Sequence, residues 1–437
     1  MLAFMKKKIV YVCMSADILH AGHINILERA SSLGNVVVGL MTDQAISYYK
    51  KIPFLNYYQR EIVLRNLNMV HEVVPQNTMD YRPNLRKIKP DYVVHGDDWK
   101  NGVLKENRSQ VIKEIKKWSG KLVEFPYTKN VSSTNLKESF FNKNFYSFNS
   151  NRVSLLKRMI EAKKFVRVIE AHSPLAGLIV ENAKVKKKSG DADYDGMWSS
   201  SLTESLLRGK PDNQSVELST RINAINEVLE ITTKLMVFDA DNGGRVEHLP
   251  FTIKSLERQG VSAIIIEDKI GLKKNSLFKN QKNAKQDSIK NFCKKIEVAT
   301  KSRKSDDFLI IARIESFILG KGINDALKRA NAYSKAGADG ILIHSKIDTP
   351  KEIFKFSKIF RKSKNFKFLV AVPSSYSKTY EKDLIRNGFS VVIYANHMLR
   401  ASYLAMNQVA ESILKNSRSA NIEKKISSIK ELLKYSL

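Results

Sequence analysis

The chain has 437 residues, 43% of them hydrophobic, which is more than one ordinary compact domain needs and excludes wholesale disorder. Its two cysteines, Cys13 and Cys293, exclude a disulfide scaffold and a Cys-based zinc cluster. The net charge is +30, from 74 Lys+Arg against 44 Asp+Glu, but residues 1–138 already mix 21 basic with 13 acidic side chains and no Arg-rich arm stands out. So dispersed an excess reads as a solvated Lys-rich surface that favours small anionic substrates, with no nucleic-acid partner.

From the start, Lys6-Lys7-Lys8 precedes only six apolar residues, and Asp17 and His20 soon interrupt them. Neither a signal peptide nor a spanning helix is expected, so a cytoplasmic chain without a membrane partner is. Apolar, β-branched runs predict strands at Ile9–Cys13, Val36–Met41, His71–Val74, Asp91–His95 and Lys121–Phe125. Helical spacing predicts helices at Ile24–Leu33, Tyr57–Asn68, Pro83–Lys89 and Glu106–Trp118 between them. Regular alternation implies a doubly wound parallel sheet, with ligands at the carboxyl ends of its strands. The Asn- and Ser-rich stretch 139–151 lacks periodicity and reads as a linker closing a first domain at 1–138.

From Arg152 the alternation resumes. Strands are expected at Val166–Ile169, Tyr194–Trp198, Leu235–Asp239, Ser262–Glu267, Phe308–Ala312, Gly340–His344, Phe368–Val372 and Ser390–Tyr394, with clear helices at Val216–Thr232 and Asp325–Ala336. Eight strands over this length predict a (β/α)8 barrel across 152–437, including C-terminal helices. The fold class is therefore α/β, a doubly wound sheet followed by a barrel.

Met14-Ser15-Ala16-Asp17-Ile18-Leu19-His20-Ala21-Gly22-His23 follows the first strand and opens a helix, whose N-terminal N–H groups suit phosphate. Two imidazoles three apart could donate to a triphosphate as charge builds on it. With Tyr58-Gln59-Arg60, His95-Gly96-Asp97-Asp98-Trp99 and Val131-Ser132-Ser133-Thr134, this region resembles the HxGH nucleotidyltransferases, and among them the cytidylyltransferases. That resemblance implies CTP as co-substrate and a nucleotide site of Asp17, His20, His23, Lys50, Arg60, Asp97, Asp98, Trp99, Ser132, Ser133 and Thr134. Lys51 shares the loop of Lys50 and is the alternative to it. Met14-Ser15-Ala16 stands where the family has Gly-Thr-Phe, and Tyr127 where it has an Arg. Losing a cation that faces a triphosphate weakens binding or changes its register.

In the barrel, Asp239-Ala240-Asp241 and Glu267-Asp268 end neighbouring strands, and such carboxylates suit Mg²⁺ with waters retained. Arg313 and His344 end later strands. The basic, polar stretch from Glu267 to Gln286 is a lid candidate. Glu267-Asp268-Lys269, five residues, then Asn275-Ser276 resembles the signature of phosphoenolpyruvate mutase, in the isocitrate lyase superfamily. Glu170-Ala171-His172, Trp198 to Leu202, Ala312 to Glu315, His344-Ser345-Lys346 and Ala395-Asn396-His397 extend the likeness. The resemblance implies interconversion of phosphoenolpyruvate and phosphonopyruvate. It implies Mg²⁺ positioned by Asp239, Asp241 and Glu267, directly or through water, and a substrate carboxylate held by Ser200, Ser201 and Leu202. Arg313 and His344 would meet oxygen and phosphoryl groups, Lys273, Asn275 and Ser276 would ride on the lid, and Asp212 would be a further active-site acid. Relatives of this kind assemble through exchanged helices, which implies a homodimer or homotetramer.

Two rivals stay open. A phosphonopyruvate hydrolase admits water, although Asn275 and His344 resemble the mutase branch. A first domain that senses CTP without turnover is the other, given Met14 and Tyr127. A C–C lyase of the superfamily needs a Cys in its loop motif, and no Cys lies between Cys13 and Cys293.

Overall fold

The computed structural model describes residues 7–100, 105–126, 149–187, 190–271, 273–276 and 284–434. The chain divides into two compact units, Met1–Phe145 with Glu161–Lys163, and Tyr146–Ile160 with Lys164–Leu437.

The first unit holds a five-stranded parallel sheet. In spatial order its strands are Glu72–Gln76, Asn35–Met41, Ile9–Met14, Tyr92–Gly96 and Lys121–Phe125. Alternate residues of the central strands feed two separate cores. Val10, Val12, Val36 and Val38 face one and Tyr11, Cys13 and Val37 the other, so the sheet is covered on both faces as apolar runs without polar alternation require. The order reverses between Ile9–Met14 and Tyr92–Gly96, and the loop carrying His20 leaves the sheet at that switch point. The helix after it runs Ala21–Ser31, three residues ahead of expectation, because the His20 side chain caps it by accepting the Gly22 N–H at 3.1 Å. A helix Asp43–Ser47, which lacks a periodic run long enough to be read, was not anticipated.

The second unit is the barrel. Val166–Glu170, Gly196–Ser199, Leu235–Asp239, Ala263–Glu267, Leu309–Ile314, Gly340–Ile343, Phe368–Ala371 and Phe389–Tyr394 close into a ring of eight parallel strands. All eight expected strands are present. The second starts two residues late, after Asp195, which bonds Arg167 both by its own N–H to the Arg167 carbonyl and by its carboxylate from the Arg167 N–H, each at 2.8 Å. The helix Asn149–Lys163 begins inside the stretch read as a linker, the earlier part of which lies outside the described residues. A hairpin of Lys184–Lys187 with Gly190–Asp193 and a ribbon of Lys269–Ile270 with Lys285–Gln286 are additions to the expected pattern.

The period of two along a strand decides which residues reach the site. Leu235 and Val237, Ala263 and Ile265, Leu309 and Ile311, and Leu342 form the barrel interior with Val166, Val168, Trp198, Val370, Val391 and Ile393. Continuing each row by two places Asp239, Glu267, Arg313 and His344 on the same inward face, at the C-terminal rim. The opposite parity, including Phe238, Ile264, Ile266, Ile310 and Ala312, packs against the surrounding helices. Among the described residues, no helix is long and apolar enough to cross a membrane.

Candidate active sites

At the barrel rim the side chains interlock across chain segments far apart in sequence. Ser201 Oγ donates to Asp239 Oδ2 at 2.7 Å, and Lys273 Nζ meets Ser201 Oγ, Asp241 and, at 2.6 Å, Asp212 Oδ1. Asn275 donates to Asp212 Oδ2 at 2.9 Å. Burial opposes ionisation of Asp239, yet Lys273, Arg313 and Arg221 outweigh it and hold the carboxyl at about 2. Burial likewise opposes the charge on Lys273, but Asp241, Asp239 and Asp212 keep it protonated far above neutral pH. Asp241 sits in the left-handed region at φ 52°, a conformation that costs a non-glycine residue and that Asp tolerates better than most. Arg221 holds it there, 3.3 Å from its Oδ2, while lying 4.5 Å over the Phe238 ring.

A second cluster adjoins the first. Arg313 donates to Glu315 Oε1 at 2.6 Å and to Ser276 Oγ at 3.0 Å, and it stands 3.4 Å from Glu267 Oε2. Its NH2 also lies 3.0 Å from His344 Nδ1. Glu315 Oε1 stands 3.2 Å from the same ring nitrogen, so a donor and an acceptor both face it. Burial and the Arg313 charge together lower the His344 pKa, against the pull of Glu315. Lys269 bonds Ser276 Oγ at 2.7 Å and stands 3.3 Å from Glu315 Oε2. Burial first, and Glu315 with it, raise Glu267 despite Arg313 and Lys269.

Of the residues expected here, Ser201, Asp212, Asp239, Asp241, Glu267, Lys273, Asn275, Ser276, Arg313 and His344 belong to these two clusters. Ser200 caps the helix Ser201–Leu207, accepting the Thr203 N–H at 3.4 Å, and Leu202 is in its first turn. Of the expected lid, residues 272 and 277–283 lie outside the described residues. Sequence reasoning assigned no role to Lys269, Glu315 or Arg221. Glu315 was reachable by stepping two from Arg313, and Lys269 lay inside the quoted signature, but nothing in the sequence marks Arg221, which arrives from a helix.

Asp239, Asp241 and Glu267 were expected to position a metal. Among the described residues no three His, Cys, Asp or Glu side chains stand close enough to hold one by themselves. Two carboxylate oxygens, Asp241 Oδ1 beside Lys273 and Glu267 Oε2 beside Arg313, are nonetheless buried without a hydrogen bond among the described residues. Buried, hard, under-satisfied oxygens fit an ion that keeps several of its own waters.

In the first unit, the His20 and His23 rings lie 4.0 Å apart and tilted. Burial, His20 and Lys50 lower the His23 pKa to about 4, so the ring is neutral at pH 7, and its Nδ1 is buried without a hydrogen-bond partner among the described residues. Asp17 accepts the Leu55 N–H at 3.0 Å and ties that loop to the first motif, while Lys50 is exposed beside the Tyr49 ring. Asp97 opens a short 3-10 turn at the end of the fourth strand.

Two of the residues expected at the nucleotide are buried. Arg60 is buried, donating to the carbonyls of Leu55, Ser15 and Met41 at 3.1, 2.5 and 2.9 Å and pairing with Asp43 at 2.6 Å. Its neighbour Gln59 completes a capping box with Asn56, so this motif builds the loop behind the histidines. Trp99 is also buried, bonded to Glu124 at 2.7 Å beneath a parallel His95 ring 3.9 Å away. Ser132, Ser133 and Thr134, with Tyr127 and the Asp98 side chain, lie outside the described residues.

A closed parallel barrel with acids and bases interleaved on its C-terminal rim defines an α/β-barrel enzyme whose chemistry sits at the strand ends. The chain belongs to the phosphoenolpyruvate phosphomutase family, whose model matches residues 156–414; residues 11–139 match that of the cytidylyltransferase-like domains. Phosphoenolpyruvate phosphomutase of Tetrahymena pyriformis is 34% identical over 67% of this chain and 93% of its own. A crystal structure of phosphonopyruvate hydrolase in complex with oxalate and Mg²⁺ aligns with a TM-score of 0.58 and 29% identity, covering 65% of this chain and 94% of that one. Glycerol-3-phosphate cytidylyltransferase of Bacillus spizizenii is 32% identical over 31% of this chain and 96% of its own.

Proposed function

We propose that the barrel interconverts phosphonopyruvate and phosphoenolpyruvate, and that the first unit transfers CMP from CTP to a phosphonate. The observation that carries the barrel reading is the reach of Lys273 across the rim to Ser201, Asp212 and Asp241, with Asn275 on the same aspartate. It sets a cation and an amide over the inward acids, where a phosphoryl group in transit needs both.

The C–P bond of phosphonopyruvate breaks with its electron pair left on carbon, giving the pyruvate enolate and a metaphosphate-like group. The enolate oxygen then takes up that group to form phosphoenolpyruvate, and no proton is gained or lost. Such a loose transition state asks for positioning and charge neutralisation, and for exclusion of water, which would divert the group to phosphate. Ser200, Ser201 and Leu202 hold the substrate carboxylate, Arg313 and neutral His344 meet its oxygens, and Lys273 and Asn275 follow the phosphoryl group. Asp239, Asp241 and Glu267 would hold Mg²⁺, directly or through water, and the ion would supply Lewis-acid polarisation. Hydrolysis is the rival outcome, given the likeness to a phosphonopyruvate hydrolase.

In the first unit, neutral His20 and His23 donate N–H groups to the nucleotide phosphates at a sheet switch point. The two reactions are separable. Asp239→Ala is expected to abolish phosphoenolpyruvate formation in a coupled assay while CTP-dependent pyrophosphate release persists. Joint loss of both activities in a folded protein contradicts the two-site reading.

A further inference from the structure

Strand parity separates two adjacent acids. Glu267 continues the inward row of Ala263 and Ile265, whereas Asp268 has the parity of Ile264 and Ile266 and turns into the layer between strands and helices. There it is fully buried. Its Oδ1 accepts the Glu315 N–H at 3.0 Å, and its Oδ2 accepts from Gln286 Nε2 and Tyr333 Oη, both at 2.8 Å, and from Arg329 at 3.2 Å. Its own N–H goes to the Arg313 carbonyl at 3.1 Å, and its carbonyl receives the Asp287 N–H at 2.7 Å. Arg329 adds a bond to the Asp287 carbonyl at 2.9 Å and is steadied by Asp325.

We propose that Asp268, held by Arg329 and Tyr333, is a positioning residue for the barrel reaction, fixing Glu315 and the ribbon from which Lys273, Asn275 and Ser276 are presented. This rests on the barrel reading above. The groups it bonds are not a random selection of buried polar atoms. Glu315 N–H belongs to the acid that bonds Arg313 and Ser276. Gln286 pairs directly with Lys269, so Asp268 ties the outgoing arm of the ribbon to its return arm. Lys269 in turn bonds the Lys274 carbonyl at 2.8 Å and Ser276 Oγ. A shift of about 1 Å in this frame separates those groups from their partners, which for misplaced reacting groups costs on the order of 100-fold in rate. Neither Asp268 nor Arg329 nor Tyr333 is on the inward face, so their influence on the chemistry runs through position alone.

The test uses the full chain, with Tyr333→Phe as the mild variant and Asp268→Asn as the severe one. Two readouts are followed, the ratio of inorganic phosphate to phosphoenolpyruvate formed from phosphonopyruvate, and the rate of tryptic cleavage after Lys273 and Lys274. Tyr333→Phe is expected to keep the thermal midpoint close to wild type while kcat falls about tenfold with KM little changed. The phosphate ratio and the cleavage rate are both expected to rise several-fold, with Asp268→Asn exceeding Tyr333→Phe if it folds. A ratio and a cleavage rate equal to wild type in folded Tyr333→Phe overturn the proposal. If the wild-type protein forms no phosphoenolpyruvate, the functional reading fails by itself, and cleavage after Lys273 and Lys274 still decides whether the ribbon is held from Asp268.

Discussion

Lys273 Nζ lies 2.6 Å from Asp212 Oδ1, joining two positions 61 residues apart at the mouth of the barrel. The same ammonium meets Asp241 and Ser201, so a single cation joins two acids and a serine from three segments. Lys273→Met is therefore expected to lower kcat by about 100- to 1,000-fold, the usual loss for one preorganised charged donor. Lys273→Arg is expected to restore little, since a planar fork cannot replace a compact ammonium there. Steady-state kinetics beside circular dichroism checks both. A less than threefold loss in Lys273→Met contradicts the role.

Asp241 separates function from fold. Its φ of 52° is strained for any residue with a side chain, and glycine relieves that strain. Asp241→Gly is expected to abolish the barrel reaction while leaving the thermal midpoint unchanged or raised. A calorimetric scan showing a large fall would make Asp241 a structural residue instead.

Arg60 carries the opposite expectation. Removing it takes a donor from the buried Met41 carbonyl, from the half-buried Ser15 and Leu55 carbonyls and from Asp43. Arg60→Ala is expected to destabilise the first unit by about 3–5 kcal/mol, the cost of breaking a buried pair. Denaturant melting would show a lowered transition for that unit, with phosphoenolpyruvate formation retained. Full CTP affinity in a stable Arg60→Ala protein contradicts this.

His23 gives the first unit an acid sensitivity. Burial, His20 and Lys50 lower its pKa to about 4, against about 6.5 in an unfolded chain. Between those values the unfolded state binds more protons, so stability falls as pH drops from 6.5 toward 4. His23→Gln is expected to flatten that slope, measured as melting midpoint against pH. An unchanged slope would assign the sensitivity to other groups.

Much of this was legible from sequence because it is local. Runs such as Leu235–Asp239 and Ala263–Glu267 are apolar, strand-length and end in acids, so both element and rim residue are read together. Motifs gather residues that one loop delivers, as at Lys273, Asn275 and Ser276. Orientation within a motif was not legible. Arg60 and Trp99 sit among site residues in sequence, yet their side chains turn into the core, and only the packing around Ser15 and Glu124 shows it. Arg221 was invisible for a related reason. It lies on the helix Leu218–Glu230, whose register against Asp241 is set by tertiary packing and not by any local pattern.

On the proposed reading, the barrel carries a phosphoryl group between carbon and oxygen of one substrate without releasing it to water. Phosphorus NMR of the full chain with Mg²⁺ and phosphonopyruvate tests this directly. The expected result is growth of the phosphoenolpyruvate resonance at the expense of phosphonopyruvate, with little inorganic phosphate. Inorganic phosphate as the main product, or an unchanged phosphonopyruvate signal, would contradict it.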